Sequence, residues 1–500
     1  MENHDEIKIA KIKNLNKLNW TANMNILIDS NVNISSILSI ESYTYDEKLE
    51  CGQGRASVSG KIGVKVVYID TDNISNTLFD SIPFSEACVD PAITSSSNIE
   101  ITESCVTSNI ISTDGMLKLS LDCSIGLVMY LNLGLSTSIG DIEGLIVKRS
   151  NIDTYLISQN INTEFEYTVD LETGYKVNKI LNYSSSFTPS GVTSQDGFAT
   201  VEGKLMSLLT YEANVEDSAV IKEICSTDTV KLDLSIAGIG PEDKLMLYFS
   251  VDKDKTKLNT ELEADSTEVS ATNTIRVRGV AIRSISIDIV DDLFSCDNVI
   301  DTSSSNREYL SSINNGYVTE RISADKELEN VQIEDVVGCS NVQTTITQHY
   351  LKDDSLILEG VATVCVVYLD ENRCYSNSLV EVPFVIDTKT TTNNPEAVNF
   401  VTKCFNVEAK AKHADTIVVE CDLGVMYTLF DQSNREIIDN VIVGKPIEYK
   451  NIDYQIFIAR PGETNWDLCK RTRTSQDEIL KLNKDLPDTF TGGEKIIVKR

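Results

Sequence analysis

Histidine is almost missing from this 500-residue chain. Only His4, His349 and His413 occur, none near another His or a Cys at the spacing that holds zinc, so no metal site is expected. Cationic charge is scarce too: 44 Lys and Arg stand against 76 Asp and Glu, a formal net charge of −32. Nucleic acid, whose phosphates demand clustered Lys and Arg, is therefore not an expected partner, and adhesion to an anionic membrane is disfavoured for the same reason. Long apolar runs are lacking as well. "DCSIGLVMYLNLGL" (122–135) and "TVCVVYL" (363–369) fall short of the ~20 residues that span a bilayer as a helix, so no transmembrane segment is expected. The opening "MENHDEIKIAKIKNLNKLNW" has neither the basic start nor the continuous apolar stretch of a secretory signal and reads as a non-exported start.

Signatures of catalysis are missing in the same way. There is no GxSxG elbow and no HExxH, and the carboxylates are spread too evenly to nominate an acid–base pair. "GRASVSGKI" (54–62) resembles a phosphate loop only in part: five residues separate its glycines, no Ser or Thr follows Lys61, and it lies in strand-like sequence. No catalytic residue and no cofactor are expected, and the chain reads as a non-enzyme. The twelve cysteines show no CxxC pair or disulfide-framework spacing, which predicts reduced, mostly buried thiols.

What is present is ordinary folded protein, 41% hydrophobic and 24% charged, long enough for three or four domains. One unit recurs in it. "VSGKIGVKVVY" (58–68), "VEGKLMSLLTY" (201–211) and "LEGVATVCVVY" (358–368) each place a Tyr eight residues after a Gly: Gly60 and Tyr68, Gly203 and Tyr211, Gly360 and Tyr368. A short apolar pair stands 23 or 24 residues before each Gly: Ile37-Leu38, Ile180-Leu181 and Val336-Val337. Downstream, "SIPF" (81–84) matches "EVPF" (381–384), while the middle copy has "EICS" (223–226). "CSIGLVMY" (123–130) matches "CDLGVMYT" (421–428), against "RVRGVAIR" (276–283) in the middle. The repeated stretches alternate at period two, Val58, Gly60, Ile62, Val64, Val66 and Tyr68 on one face and Lys61 and Lys65 on the other, which predicts half-buried strands. Each unit is expected to be a mainly antiparallel β domain, a sandwich or open barrel, whose repeated Gly marks a bulge or a close backbone approach.

From Tyr454 the pattern changes to strand, helix, helix, strand. Thr464 precedes Asp467 by three residues and Ser475 precedes Glu478 by three, the spacing of N-terminal helix caps. The stretch holds 9 Lys and Arg against 7 Asp and Glu, a charge of +2 that leaves −34 for residues 1–453 and suits docking to an acidic protein surface. Trp466 stands either in the small core or as a surface anchor, and Cys469 reads as a buried filler.

"RPGETNW", "ILKLN" and "GGEKIIV" make residues 454–500 resemble the LysM module. The resemblance implies a βααβ fold that often binds N-acetylglucosamine-containing glycans between two loops, which by position are 460–466 and 483–489 here. Glu463 stands where the family usually has Asp, and Asn465 where it has an apolar residue.

Repeated β units followed by such a tail resemble the SPOCS-domain coat morphogenetic proteins of endospore-forming bacteria, of the type that interacts with stage IV sporulation protein A. The middle copy departs most from the pattern. The resemblance implies a mainly β chain: an N-terminal tail (1–17), three SPOCS-like β domains (18–152, a divergent 153–306, and 307–452) and a LysM domain (454–500). It implies a non-enzymatic scaffold for spore coat assembly, made in the mother-cell cytoplasm and recruited to the forespore surface. There it would bind the coat basement-layer ATPase, stage IV sporulation protein A, through the LysM module and promote forespore encasement and coat attachment, with other coat proteins as further partners. Arg460, Gly462, Thr464, Trp466, Asn483 and Leu486 are the expected docking residues. The rival expectation is a peptidoglycan-binding protein of the spore cortex or cell wall, and a weaker third is a cortex-remodelling enzyme.

Overall fold

The period-two alternation is carried into long strands. A computed structural model describes residues 6–28, 33–113, 116–136, 142–215, 218–262, 267–389, 397–448 and 454–499. These residues are mostly antiparallel β-strand in several small sheets, with two short helices near the C-terminus.

The first segment contains β1 (Glu6–Asn14), β2 (Leu18–Leu27), β3 (Ile34–Gly52), β4 (Arg55–Asp70), β5 (Ser75–Val89), β6 (Asn98–Ser112) and β7 (Met116–Ser136). β7 pairs with β6 and, along successive halves, with β2 and β1; β3–β4–β5 forms a meander. The alternation buries one side of each sheet, so Val58, Ile62 and Val64 of β4 share a core with Leu117, Leu119 and Leu121 of β7. Each such side chain contributes roughly 1.5–3 kcal/mol.

The next six strands repeat this order. They are β8 (Leu145–Glu172), β9 (Val177–Gln195), β10 (Phe198–Val215), β11 (Ser218–Ser235), β12 (Lys244–Leu262) and β13 (Thr267–Ser295), paired as β12–β13–β8 and β11–β10–β9. A third set follows: β14 (Asn298–Glu327), β15 (Ile333–Lys352), β16 (Ser355–Asp370), β17 (Tyr375–Lys389), β18 (Ala397–His413) and β19 (Thr416–Pro446), paired as β14–β19–β18 and β15–β16–β17. Each pair of sheets has a core, and that of the third set also takes in Met206 and Leu208 of β10. Residues 6–14, within the expected tail, are strand, and β8 and β14 begin ahead of positions 153 and 307.

The repeated landmarks have separate tasks. At Gly60 and Gly360 a Cβ would lie 2.9 and 2.5 Å from the rings of Phe84 and Phe384, the aromatic residues of "SIPF" and "EVPF". In the middle segment the ladder sets Val230 opposite Gly203, and the ring against Gly203 is instead Phe187 of β9, at 2.4 Å from a Cβ. The glycine is therefore a seat for an aromatic ring in all three segments, filled from a different strand in one of them.

Tyr68, Tyr211 and Tyr368 pair with Ile37, Ile180 and Val336. In each ladder the second residue of the apolar pair is skipped, a β-bulge at Leu38, Leu181 and Val337. Ile37, Ile180 and Val336 stay in their own cores. Leu38, Leu181 and Val337 leave theirs and meet in one shared cluster. Around it β5 touches β9, β11 touches β15 and β17 touches β3, so the three segments close a ring. A second shared cluster brings Ile12 and Tyr130 together with Tyr248 and Ile282 and with Leu310 and Phe430. The Tyr130 and Tyr248 hydroxyls lie 3.0 Å apart there, both held neutral by burial.

Candidate functional site

Beyond β19 the chain forms β20 (Tyr454–Ile458), α1 (Asn465–Thr472), α2 (Gln476–Leu482) and β21 (Lys495–Lys499). Both helices start where the sequence places a cap. Thr464 accepts from the Asp467 N–H while the Asp467 carboxylate accepts from the Thr464 N–H, and the Ser475 hydroxyl accepts from Glu478. Leu468, Cys469, Ile479, Phe490, Ile496 and Val498 make the small core. Burial pushes the Cys469 thiol up to about 11, so it stays a neutral filler.

Glu463 ties the first loop together. Burial alone would raise its pKa, but two hydrogen bonds from Arg471, at 2.6 and 2.9 Å, and one from the Arg460 N–H, at 2.8 Å, hold it below the usual carboxylate value. The loops 460–466 and 483–489 lie side by side: Gly462 N–H donates to Phe490, Phe490 N–H donates to Glu463, and Thr464 bridges Thr489.

The six expected docking residues take different places. Thr464 is spent on the α1 cap and Gly462 on a turn at φ 79°. Asn483 donates to the carbonyls of Ile479 and Ile497, at 2.8 and 2.7 Å, and accepts from the Ile497 N–H at 2.8 Å, which locks α2 to β21. Leu486 packs at the edge of the small core. Arg460 is exposed.

Trp466 faces the body of the same chain. Its indole N–H donates to Asp292 of β13 at 2.8 Å, and its ring meets Phe294 edge-on with centroids 5.3 Å apart. Lys470 reaches the other oxygen of Asp292 at 2.5 Å. Burial would raise the Asp292 pKa, yet the bonds from Lys470 and Trp466 hold it below its ordinary value of 3.8. A bulge in the β13–β8 ladder at Asp291 supports this corner, and Asp291 itself pairs with Arg435 of β19 at 2.7 Å.

No family model, no curated protein and no solved structure matches this chain. The site is accordingly read from its own geometry.

The outer face of the β20–β21 pair was missed by sequence reasoning. Tyr454, Ile456 and Ile458 alternate with the inward Phe457 and are 57%, 66% and 60% exposed. Across the ladder, Ile456 faces Ile497, itself 40% exposed, while Tyr454 and Ile458 face Lys499 and Lys495. The result is an apolar strip flanked by two cations. Among the described residues, no strand pairs with β20 along its other edge. The Ala459 N–H and C=O bond to residues 494 and 493, so by alternation the peptide groups of Tyr454, Ile456 and Ile458 face away from β21. Arg471 meets the Ile458 carbonyl at 3.1 Å, whereas Asn483 covers Ile497 on the opposite edge. The signal was available in "YQIFIA": apolar residues at both parities of a five-residue strand require two apolar neighbours, and the small core supplies only one.

Among the described residues no group of His, Cys, Asp and Glu is arranged to hold a metal ion, and no helix is long and apolar enough to cross a membrane. None of the twelve cysteines is in a disulfide.

Proposed function

We propose that the chain is a non-enzymatic spore-coat morphogenetic adapter, with three SPOCS-like β domains followed by a LysM domain. In this reading it works at the forespore surface of the mother cell and binds the coat basement-layer ATPase, stage IV sporulation protein A, through the C-terminal module. The observation that supports the reading is the exposed Tyr454–Ile456–Ile458–Ile497 strip with Lys495 and Lys499 beside it, on a strand whose other edge has no paired strand among the described residues. Such a surface suits an apolar, acidic-flanked protein segment that adds to the edge as a strand. A coat ATPase presented as a polymer would engage many copies at once, so modest single contacts would add up by avidity.

The test uses the full chain and the purified ATPase in a binding titration. Ile456→Asp with Ile458→Asp is expected to weaken binding at least about tenfold, since a hydrophobic anchor contributes roughly 1–2 kcal/mol or more. Unchanged affinity in the double variant would remove the strip from the reading, and absence of binding by the unaltered chain would remove the reading itself. A second reading, peptidoglycan recognition, is favoured by the adjacency of loops 460–466 and 483–489. Retention of the full chain on purified peptidoglycan, lost on Arg460→Ala, is its expected sign.

A further inference from the structure

Each bulge of the ring leaves an extra residue outside the ladder, and its carbonyl needs a donor from elsewhere. In two of the three places the donor comes from the neighbouring segment and from the same position. Opposite the residue before the repeated Tyr stand Thr77 on β5, Glu223 on β11 and Asn377 on β17. The Thr77 hydroxyl donates to the Leu181 carbonyl at 2.8 Å. The Asn377 amide donates to the carbonyls of Ile37 and Leu38 at 2.8 and 3.0 Å. The third place, where β11 meets β15, holds Glu223 against the bulge at Val337.

Glu223 lies tight on that bulge. A Cβ at Gly338 would fall 2.9 Å from the Glu223 Cβ and 3.0 Å from its Oε2. Oε1 accepts from the Thr210 hydroxyl at 2.8 Å, while Oε2 is buried with no hydrogen-bond partner. An ionised carboxylate has no hydrogen to give, so the position equivalent to two donors is filled by a side chain that donates only with a proton on it.

We infer that Glu223 is a proton-operated latch between the second and third segments: protonated, its Oε2–H caps the Val337 carbonyl as Thr77 and Asn377 cap theirs, and ionised, it loosens that seam alone. The groups packed around it agree. Cys339 on β15 and Cys365 on β16 are buried and their thiols pushed up by it, Cys225 on its own strand is raised in the same direction, and the hydrogen-bond partner is the neutral Thr210. Burial pushes Glu223 itself up to about 8, against the single opposing bond from Thr210. An acid raised in the folded state binds more protons than the unfolded chain between its two values. Its contribution is therefore fully present below the unfolded value of 4.5 and is lost as the pH rises through about 8.

The experiment compares the full chain with Glu223→Gln by amide hydrogen exchange of β11 and β15 at pH 6 and pH 9, variants always compared at the same pH. Glutamine is a donor at both. The expected result is that exchange in the unaltered chain, relative to Glu223→Gln at the same pH, becomes faster from pH 6 to pH 9 by on the order of a hundredfold, the two pH units of linkage between pH 6 and the folded value of about 8. Asn377→Asp provides an independent arm, because it installs an acid at the β17–β3 seam and is expected to bring the same pH dependence to β3 and β17. The same relative exchange of the unaltered chain and Glu223→Gln at pH 6 and pH 9 overturns the latch, as does an Asn377→Asp seam that weakens equally at both pH values.

Discussion

The three-segment body and the C-terminal module are held in place by different means. The segments trade buried side chains: Leu38, Leu181 and Val337 leave the cores of their own segments to form a common centre, and Tyr130, Tyr248 and Phe430 share another. The module instead rests on the body at one corner, where Trp466 and Lys470 hold Asp292 and where Phe294, Ile146 and Cys296 pack against the module's small core. Damage to the body should therefore spread through all three segments, whereas damage at the module's seat should stay local.

The largest effect is expected from Leu181→Ala. It empties part of the shared centre and should cost about 2–5 kcal/mol, seen as lowered unfolding midpoints and as faster exchange in the first and third segments, not only in the second. Confinement of the change to residues 177–235 would break the comparison. Asp292→Ala comes next, at about 1–2 kcal/mol for docking of the module, reduced because Lys470 is half exposed to water. Trp466 emission, read in a Trp20→Phe background, should shift while the body's unfolding midpoint stays fixed. The seat also has a pH sense. Asp292 is held below 3.8, so its contribution stands above that value and disappears as the pH falls through the lower folded value. Smallest is Thr464→Ala, expected to cost about 0.5–1 kcal/mol of α1 stability, measured as exchange of the Asn465–Thr472 amides with the body unchanged.

Much of this organisation was legible in the sequence. The Gly, the Tyr and the first residue of each apolar pair obey the period-two rule because each answers to its own segment's core. The second residue of the pair breaks that rule, and alternation alone would have sent it to solvent. What it reaches lies in another segment, and no local pattern records a neighbour more than a hundred residues away. The missing "PF" of the middle copy has a similar cause, since Phe187 fills the seat from another strand. In the module, the caps were legible because a cap is settled within four residues. The engagement of Trp466 by Asp292 was not, for the partners are 174 residues apart. Asn483 likewise belongs to the frame of the module, where it serves two backbone carbonyls and one N–H.

The closing of the ring bears on how the chain is made. Asn377 meets Ile37 across 340 residues, so the first bulge cannot be covered until the third segment has left the ribosome. At ordinary rates of synthesis that delay is on the order of tens of seconds. Through it Leu38 and Val67 lack the cover of Val337 and Val367, and a chain cut short after its second segment would carry an apolar notch that its own missing third was shaped to fill.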